Sequence, residues 1–245
     1  MDNPWSFDVY SEDTGSGRSA ASHYDTMSLD DLKMLPMHQL MDPTGCAVLL
    51  WGVWPSLPDV FGLVDAWNKN HEVAYGKRLP KRLQLTYKTC AFLWVKTNKH
   101  AAERKLPPEH ERNYHVGLGY HTRANTEPCL LFTLGRVQRQ AKDVRQLVVA
   151  PRLAHSAKPP LYDRIERLYP GPRLEVFARN LYPGWHSIGN ELDGADIRQG
   201  FSIVTQSRDG LGMQRIYHPK GVQNAGEGAL SVLHPSGEGQ LISLF

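Results

Sequence analysis

An α/β architecture is what the sequence predicts, on three observations. Apolar runs of strand length at 46–54, 90–96, 128–134 and 146–150 are separated by polar stretches. Between the first two lies a segment of helical periodicity, where Leu57, Val60, Phe61, Val64 and Trp67 recur every three or four residues. Polar residues directly follow several of the runs, as in open α/β sheets, where ligands sit beyond the carboxyl ends of the strands. With 245 residues, 41% of them hydrophobic, the chain can bury one sizeable core.

In chain order, Asp2-Asn3-Pro4-Trp5 comes first. Residues 6–22, rich in Ser, Gly, Asp and Glu without any period, read as a loop beside it. Over 24–39 a short helix is expected, because Ser28 and Asp31 have capping-box spacing and Leu29, Leu32 and Leu35 share a face. The uninterrupted run 46–54 predicts a strand buried on both faces in a parallel sheet. The helix after it, over 57–67, carries Pro58 near its start. Residues 68–88, with Lys77, Arg78, Lys81, Arg82 and Lys88, read as a solvated insertion, a phosphate-contacting surface being the alternative. The strand 90–96 ends in Lys96-Thr97-Asn98.

The stretch 117–123, Gly-Leu-Gly-Tyr-His-Thr-Arg, has the spacing of neither a dinucleotide fingerprint nor a P-loop. Its Tyr120 and Arg123 suit a loop over a base or phosphate, or a structural turn. Lys158 precedes Pro159 and Pro160, where a helix with Leu161, Ile165 and Leu168 on one face begins, and Pro170-Gly171 stops it. A helix dipole opposes a lysine there, so an anionic ligand explains Lys158 better than stability does. Two further strands are expected, 174–178 closing with Arg179 and 185–188 closing with Gly189-Asn190-Glu191. Residues 200–245 turn to Gly, Ser and Gln with little period and read as a tail or appendage after a domain of residues 1–199.

A formal net charge of +3 and a pI near 8.7 are compatible with a nucleic-acid partner without demanding one. Cys46, Cys90 and Cys129, odd in number and set in apolar runs, predict buried reduced thiols, neither a disulfide framework nor a zinc site. With no secretory apolar region and no uninterrupted apolar stretch of about twenty residues, a soluble cytoplasmic protein without a membrane partner is expected.

Asp2-Asn3-Pro4-Trp5 combines an acid, a carbonyl held before proline and an aromatic. These groups suit an enzyme that alkylates the exocyclic amine of adenine, a poor nucleophile whose lone pair is delocalised into the ring. The Asp2 carboxylate can accept one N–H and the Asn3 main-chain carbonyl the other, which localises the lone pair. Pro4 confines Asn3 to the extended region and so aims that carbonyl. Trp5, expected to be exposed, would stack on the base. An N-terminal turn is the plainer reading of the same tetrapeptide.

From Asp2 to about Ile197 the sequence resembles the seventy-kilodalton MT-A family of adenine-N6 methyltransferases. These are relatives of the catalytic subunit of the eukaryotic messenger-RNA methylation complex, with bacterial and phage members. The resemblance rests on Asp2-Asn3-Pro4-Trp5, Tyr24-Asp25-Thr26-Met27-Ser28, Trp94-Val95-Lys96-Thr97 and Gly117-Leu118-Gly119-Tyr120. It is strongest from Lys158-Pro159 through Ile165-Glu166-Arg167-Leu168 and Glu175-Val176-Phe177-Ala178-Arg179 to Gly184-Trp185 and Gly189-Asn190-Glu191.

The resemblance implies a Rossmann-like sheet with helices on both faces and S-adenosyl-L-methionine as methyl donor. It implies that Asp2, Asn3, Pro4 and Trp5 hold the target adenine, with Asp2 also near the cofactor's amino group. Lys158 would pair with the cofactor's carboxylate, Arg179, Asn190 and Glu191 would contact its ribose and adenine, and Glu175 would support that pocket. Tyr24, Lys96, Tyr120 and Arg123 are further substrate-side positions, no metal is implied, and the segments after Trp5 and over 150–158 look like the family's two active-site lids. Two departures stand out. The family usually has proline where this chain has Asn3, and a hydrophobic strand before the acid, where here only Met1 precedes Asp2. The sheet is therefore expected to lack an N-terminal strand and the 1–199 domain to be N-terminally truncated. DNA is favoured as substrate, with an RNA methyltransferase or a catalytically inactive nucleic-acid-binding partner subunit as alternatives, and a homo- or heterodimer as a possible assembly.

Overall fold

The computed structural model describes residues 1–5, 26–117, 119, 121–153, 157–193, 200–206 and 213–219. Four strands, β1 (Gly45–Trp51), β2 (Thr86–Thr97), β3 (Thr126–Gly135) and β4 (Leu147–Pro151), form a sheet in the order β1-β3-β2-β4. β3 lies between β1 and β2 and runs antiparallel to both, while β4 runs parallel to β2. The parallel setting expected for β1 is thus corrected to an antiparallel one. Its apolar run follows from two-sided burial alone. Val48 and Leu50 enter one core, whereas Trp51 belongs to the other and Leu49 packs against it.

Each core is closed by a helix. On the first face lies α2 (Leu57–Tyr75), which contributes Val60, Leu63, Val64 and Trp67. The short α1 (Leu29–Lys33) adds Leu32. Its capping box forms as the spacing predicts: the Asp31 amide donates to the Ser28 hydroxyl at 3.1 Å, and that hydroxyl donates to the Asp31 carboxylate at 2.9 Å. The Trp67 indole N–H donates to the Leu32 carbonyl at 2.9 Å and locks the two helices together. On the opposite face, Leu161, Ile165 and Leu168 bring α3 (Tyr162–Leu168) onto Phe92, Trp94, Cys129 and Val148.

The helix α2 runs eight residues beyond the periodic stretch, into the segment expected to be a solvated insertion. Polar side chains carry it there. Asn68 brackets Leu85, donating to its carbonyl at 3.0 Å and accepting from its amide at 2.8 Å, and Asn70 donates to the Lys33 carbonyl at 2.7 Å. Gly76, at φ +73, ends the helix in the left-handed region that a side chain would disfavour.

A second sheet places β5 (Leu174–Val176) parallel to β6 (His186–Ile188), followed by an antiparallel pair, β7 (Gly200–Gln206) and β8 (Met213–Pro219). Residues 200–206 and 213–219, within the stretch read from sequence as a tail or appendage, thus form strands of this sheet, while 207–212 and 220–245 lie outside the described residues. The three cysteines are free. Burial pushes the Cys129 thiol up to about 12 and the Cys46 thiol up to about 11, so neither is a nucleophile near neutrality. Among the described residues no helix is long and apolar enough to cross a membrane.

His38, in a short 3-10 turn (Met37–Leu40), and His71 of α2 stack with ring centroids 5.5 Å apart. Among the described residues neither Nδ1 has a hydrogen-bond partner. Burial lowers both imidazoles below their ordinary value, and for His38 the neighbouring His71 adds to this. Below about pH 6.5 the unfolded chain takes up protons that the folded one refuses, so stability present above that pH is lost as the pH falls through the depressed values. Urea midpoints compared at pH 8 and pH 5 are expected to drop on acidification, and His71→Phe should flatten that dependence.

Candidate active site

The amino-terminal residues are laid along β1 by two backbone hydrogen bonds. The Met1 nitrogen donates to the Leu49 carbonyl at 2.8 Å and the Trp51 amide to the Met1 carbonyl at 3.1 Å. This brings Asp2 to the carboxyl end of β1. The other end of the tetrapeptide is fixed by the Met27 amide, which donates to the Pro4 carbonyl at 2.8 Å. The Trp5 amide donates to the Asn3 carbonyl at 2.9 Å.

Trp5 itself is buried, packed into the α2 core with Met27 and Leu32. The exposure expected of Trp5 from the sequence is corrected on that ground: only 8% of its surface is accessible. Asn3 is buried too, and among the described residues its side-chain amide has no partner.

Asp2 begins a chain of alternating charges. Lys158 Nζ lies 3.4 Å from Asp2 Oδ1 and 2.9 Å from Glu127 Oε2, while the other Glu127 oxygen accepts from Lys96. The strand register produces this arrangement. Glu127 of β3 faces Trp94 of β2, and Lys96 follows two residues further along the same face. The Lys96 ammonium stands 5.0 Å from the centre of the Trp94 ring and that of Lys158 5.9 Å from the Trp51 ring, so both cations rest on aromatic floors.

Burial raises the Asp2 carboxyl above its ordinary value, and the opposing pull of Lys158 does not cancel it. For Glu127, burial acts upward, but Lys158 and then Lys96 hold the carboxyl below the ordinary range. Burial alone would lower Lys158; Asp2 and Glu127 outweigh it and keep the ammonium charged. The two carboxyls are therefore shifted in opposite directions, Asp2 upward and Glu127 downward.

A second group flanks this chain at the ends of β5 and β6. Glu175 accepts from the Tyr162 hydroxyl at 2.9 Å, and burial raises its carboxyl. Tyr162 stacks on Tyr182 at 3.9 Å, and Trp185 meets Tyr162 edge-on at 5.1 Å. Arg179 Nε lies 3.7 Å from Glu191 Oε1 and is close enough to Asp2 to pull its carboxyl downward. The backbone at Gly189 passes so close to the Ala178 carbonyl that a Cβ would collide with it. Directly after it come the exposed Asn190 and Glu191, at the start of α4 (Asn190–Asp193).

Of the residues singled out from sequence, Asp2, Lys96 and Lys158 thus meet through Glu127, and Glu175, Arg179, Asn190 and Glu191 lie at neighbouring strand ends. Arg123 is exposed on the turn before β3. Tyr24 and Tyr120 lie outside the described residues. Sequence reasoning missed Glu127, although an acid at the head of a strongly apolar strand was a usable signal.

The mixed α/β sheet with helices on both faces, and ionisable groups gathered at its strand ends, is consistent with a Rossmann-like methyltransferase fold. The chain belongs to the MT-A70 family, whose model matches residues 1–191. It is 27% identical over 209 residues to the Type II methyltransferase M.MunI of Mycoplasma sp, covering 78% of this chain and 75% of that protein. To the N(6)-adenine-specific methyltransferase METTL4 of Mus musculus it is 26% identical over 195 residues, 78% of this chain and 36% of that protein. With the N(6)-adenosine-methyltransferase catalytic subunit METTL3 of Homo sapiens it shares 33% identity over 112 residues, 43% of this chain and 18% of that protein. The chain thus stands among the N6-adenine methyltransferases while spanning only about a third of METTL4.

Replacing Glu127 by alanine takes its carboxylate from the half-buried Lys96 and leaves the half-buried Lys158 with Asp2 alone. A loss of about 3–5 kcal/mol in unfolding free energy is expected, measured by denaturant titration, with Glu127→Gln less damaging because it still accepts one hydrogen bond.

Proposed function

We propose that the chain transfers a methyl group from S-adenosyl-L-methionine to the N6 amine of adenine in DNA. The observation that carries this reading is the ion pair of the half-buried Asp2 with Lys158 at the carboxyl end of β1, in a chain of the MT-A70 family. The residues present fit the cofactor. Lys158, only 16% exposed at its side chain, is a cation for a carboxylate, and Glu191 with Asn190 offers an acceptor and an amide for vicinal hydroxyls. Glu175 and Arg179 flank the same strand ends. When bound, the cofactor supplies an electrophilic methyl on sulfur.

The protein's own part is positional. Asp2 accepts one N–H of the adenine amine, and the Asn3 carbonyl, which keeps a second lone pair beside its bond to Trp5, accepts the other. The base is flipped out or already unpaired when it enters. Asp2 also takes up the proton that the amine loses, a role suited to its raised basicity. DNA is favoured because the relative matched over three quarters of its own length is a Type II methyltransferase, whereas METTL3, named for adenosine, is matched over 18% of its length.

Transfer of labelled methyl to matched single- and double-stranded DNA and RNA, with product nucleosides identified, tests the reading. N6-methyladenine formed best in DNA is the expected product; a methylated nucleoside other than N6-methyladenine would overturn the chemistry. Asp2→Ala should abolish transfer while cofactor binding is weakened but measurable, and Lys158→Ala should chiefly weaken cofactor binding. Because Asp2 must be ionised, transfer should fail on acidification at a pH above the ordinary aspartate value of 3.8.

A further inference from the structure

Beyond the ionic chain, the carboxyl ends of the parallel strands β2 and β4 open into a cavity of about 580 Å³, lined by Thr97, Asn98, Lys99, His115, Pro151, Arg152 and Leu153. None of these residues is acidic. Three carry or can carry positive charge: Lys99 and Arg152, both exposed, and the half-buried His115.

The walls are fixed to the end of β2. The His115 amide donates to the Lys96 carbonyl at 2.8 Å, Thr97 bridges to Tyr114, and the Arg152 amide donates to the Thr97 carbonyl at 3.3 Å. Across the opening, Arg152 Nη1 stands 3.3 Å from His115 Nε2. An imidazole here accepts from the guanidinium and turns it toward the cavity. Burial, then Arg152 and Lys96, lower that imidazole below its ordinary value. The Asn98 side chain is committed to the Arg112 and Tyr114 carbonyls and stiffens the rim. Beyond that rim, Arg104, Lys105 and Arg112 line a second hollow of about 400 Å³. Arg104 donates to the Arg112 carbonyl at 2.6 Å, which ties this hollow to the same 98–115 excursion.

The larger hollow begins at Thr97, directly after Lys96, the last member of the Asp2–Lys158–Glu127–Lys96 chain, and His115 of its wall bonds the Lys96 carbonyl. We propose that the cavity walled by Lys99, His115 and Arg152 seats a phosphodiester of the strand that carries the target adenine. The Arg104, Lys105 and Arg112 hollow takes the backbone further from the flipped base. A planar guanidinium held by a neighbour suits two phosphate oxygens at once, and Lys99 adds a mobile point charge. Contacts of this kind fix the register of the strand without reading sequence. The assignment rests on the nucleic-acid reading above.

The test is fluorescence anisotropy with the full chain and a labelled single-stranded adenine-containing DNA oligonucleotide, across a salt series. Lys99→Ala/Arg152→Ala should bind about tenfold more weakly and flatten the slope of log affinity against log salt by about one. Arg152→Lys should keep the wild-type slope. Unchanged affinity and slope in the double variant would overturn the proposal, as would weaker binding with an unchanged slope, the mark of lost packing. Equilibrium binding of S-adenosyl-L-methionine should be unaffected; a parallel loss would assign the cavity to the cofactor and overturn the proposal equally. Lys99→Ala alone, at an exposed side chain, should already flatten the slope. If the wild type binds through Arg152 yet transfers no methyl, the reaction assigned above fails while this site stands.

Discussion

Lys158 lies between two carboxylates, Asp2 and Glu127, and its burial is tolerable only because both are there. Desolvating an ammonium costs several kcal/mol, and a single acid in poor geometry would not offset it. Glu127 is held in turn by Lys96, so four residues far apart in sequence form one ionic unit. It joins the amino terminus, the end of β2, the head of β3 and the segment before α3. Remove any member and a neighbouring charge is left in an environment that water reaches poorly.

The sheet explains why adjacent residues of the amino-terminal motif serve opposite ends. Strand β1 is buried on both faces, with α2 on one side and α3 on the other. The motif runs beside it, and Asp2 joins the ionic unit near Trp51, while Trp5 sinks into the α2 core. The aromatic therefore anchors the motif, and the acid at the other end stays available for chemistry. Tryptophan is well suited to such an anchor, because its large apolar surface contributes much when buried.

The elements that sequence made legible are those in which local pattern and tertiary demand agree. The capping box at Ser28, the apolar face of α2 and the apolar runs of β1 and β3 formed where periodicity put them. The far end of α2 was hidden because Asn68 and Asn70 hold it through backbone contacts that leave no hydrophobic period. Pairing direction was hidden for a related reason: two-sided burial produces the same apolar run whether the neighbouring strand is parallel or antiparallel. Trp5 was misread because exposure is a property of the assembled core, not of a tetrapeptide. Glu127 escaped notice because its importance arises from two lysines, 31 residues before it and 31 after it.

The bridge between Trp5 and Met27 closes the chain on itself at the edge of the α2 core. The Met27 amide also donates to the Pro4 carbonyl at 2.8 Å, so this buried point ties the tetrapeptide to the segment that leads into α1. The motif is thus moored at both ends, Asp2 by Lys158 and Trp5 by the α2 core, so repacking that core would shift the acid as well.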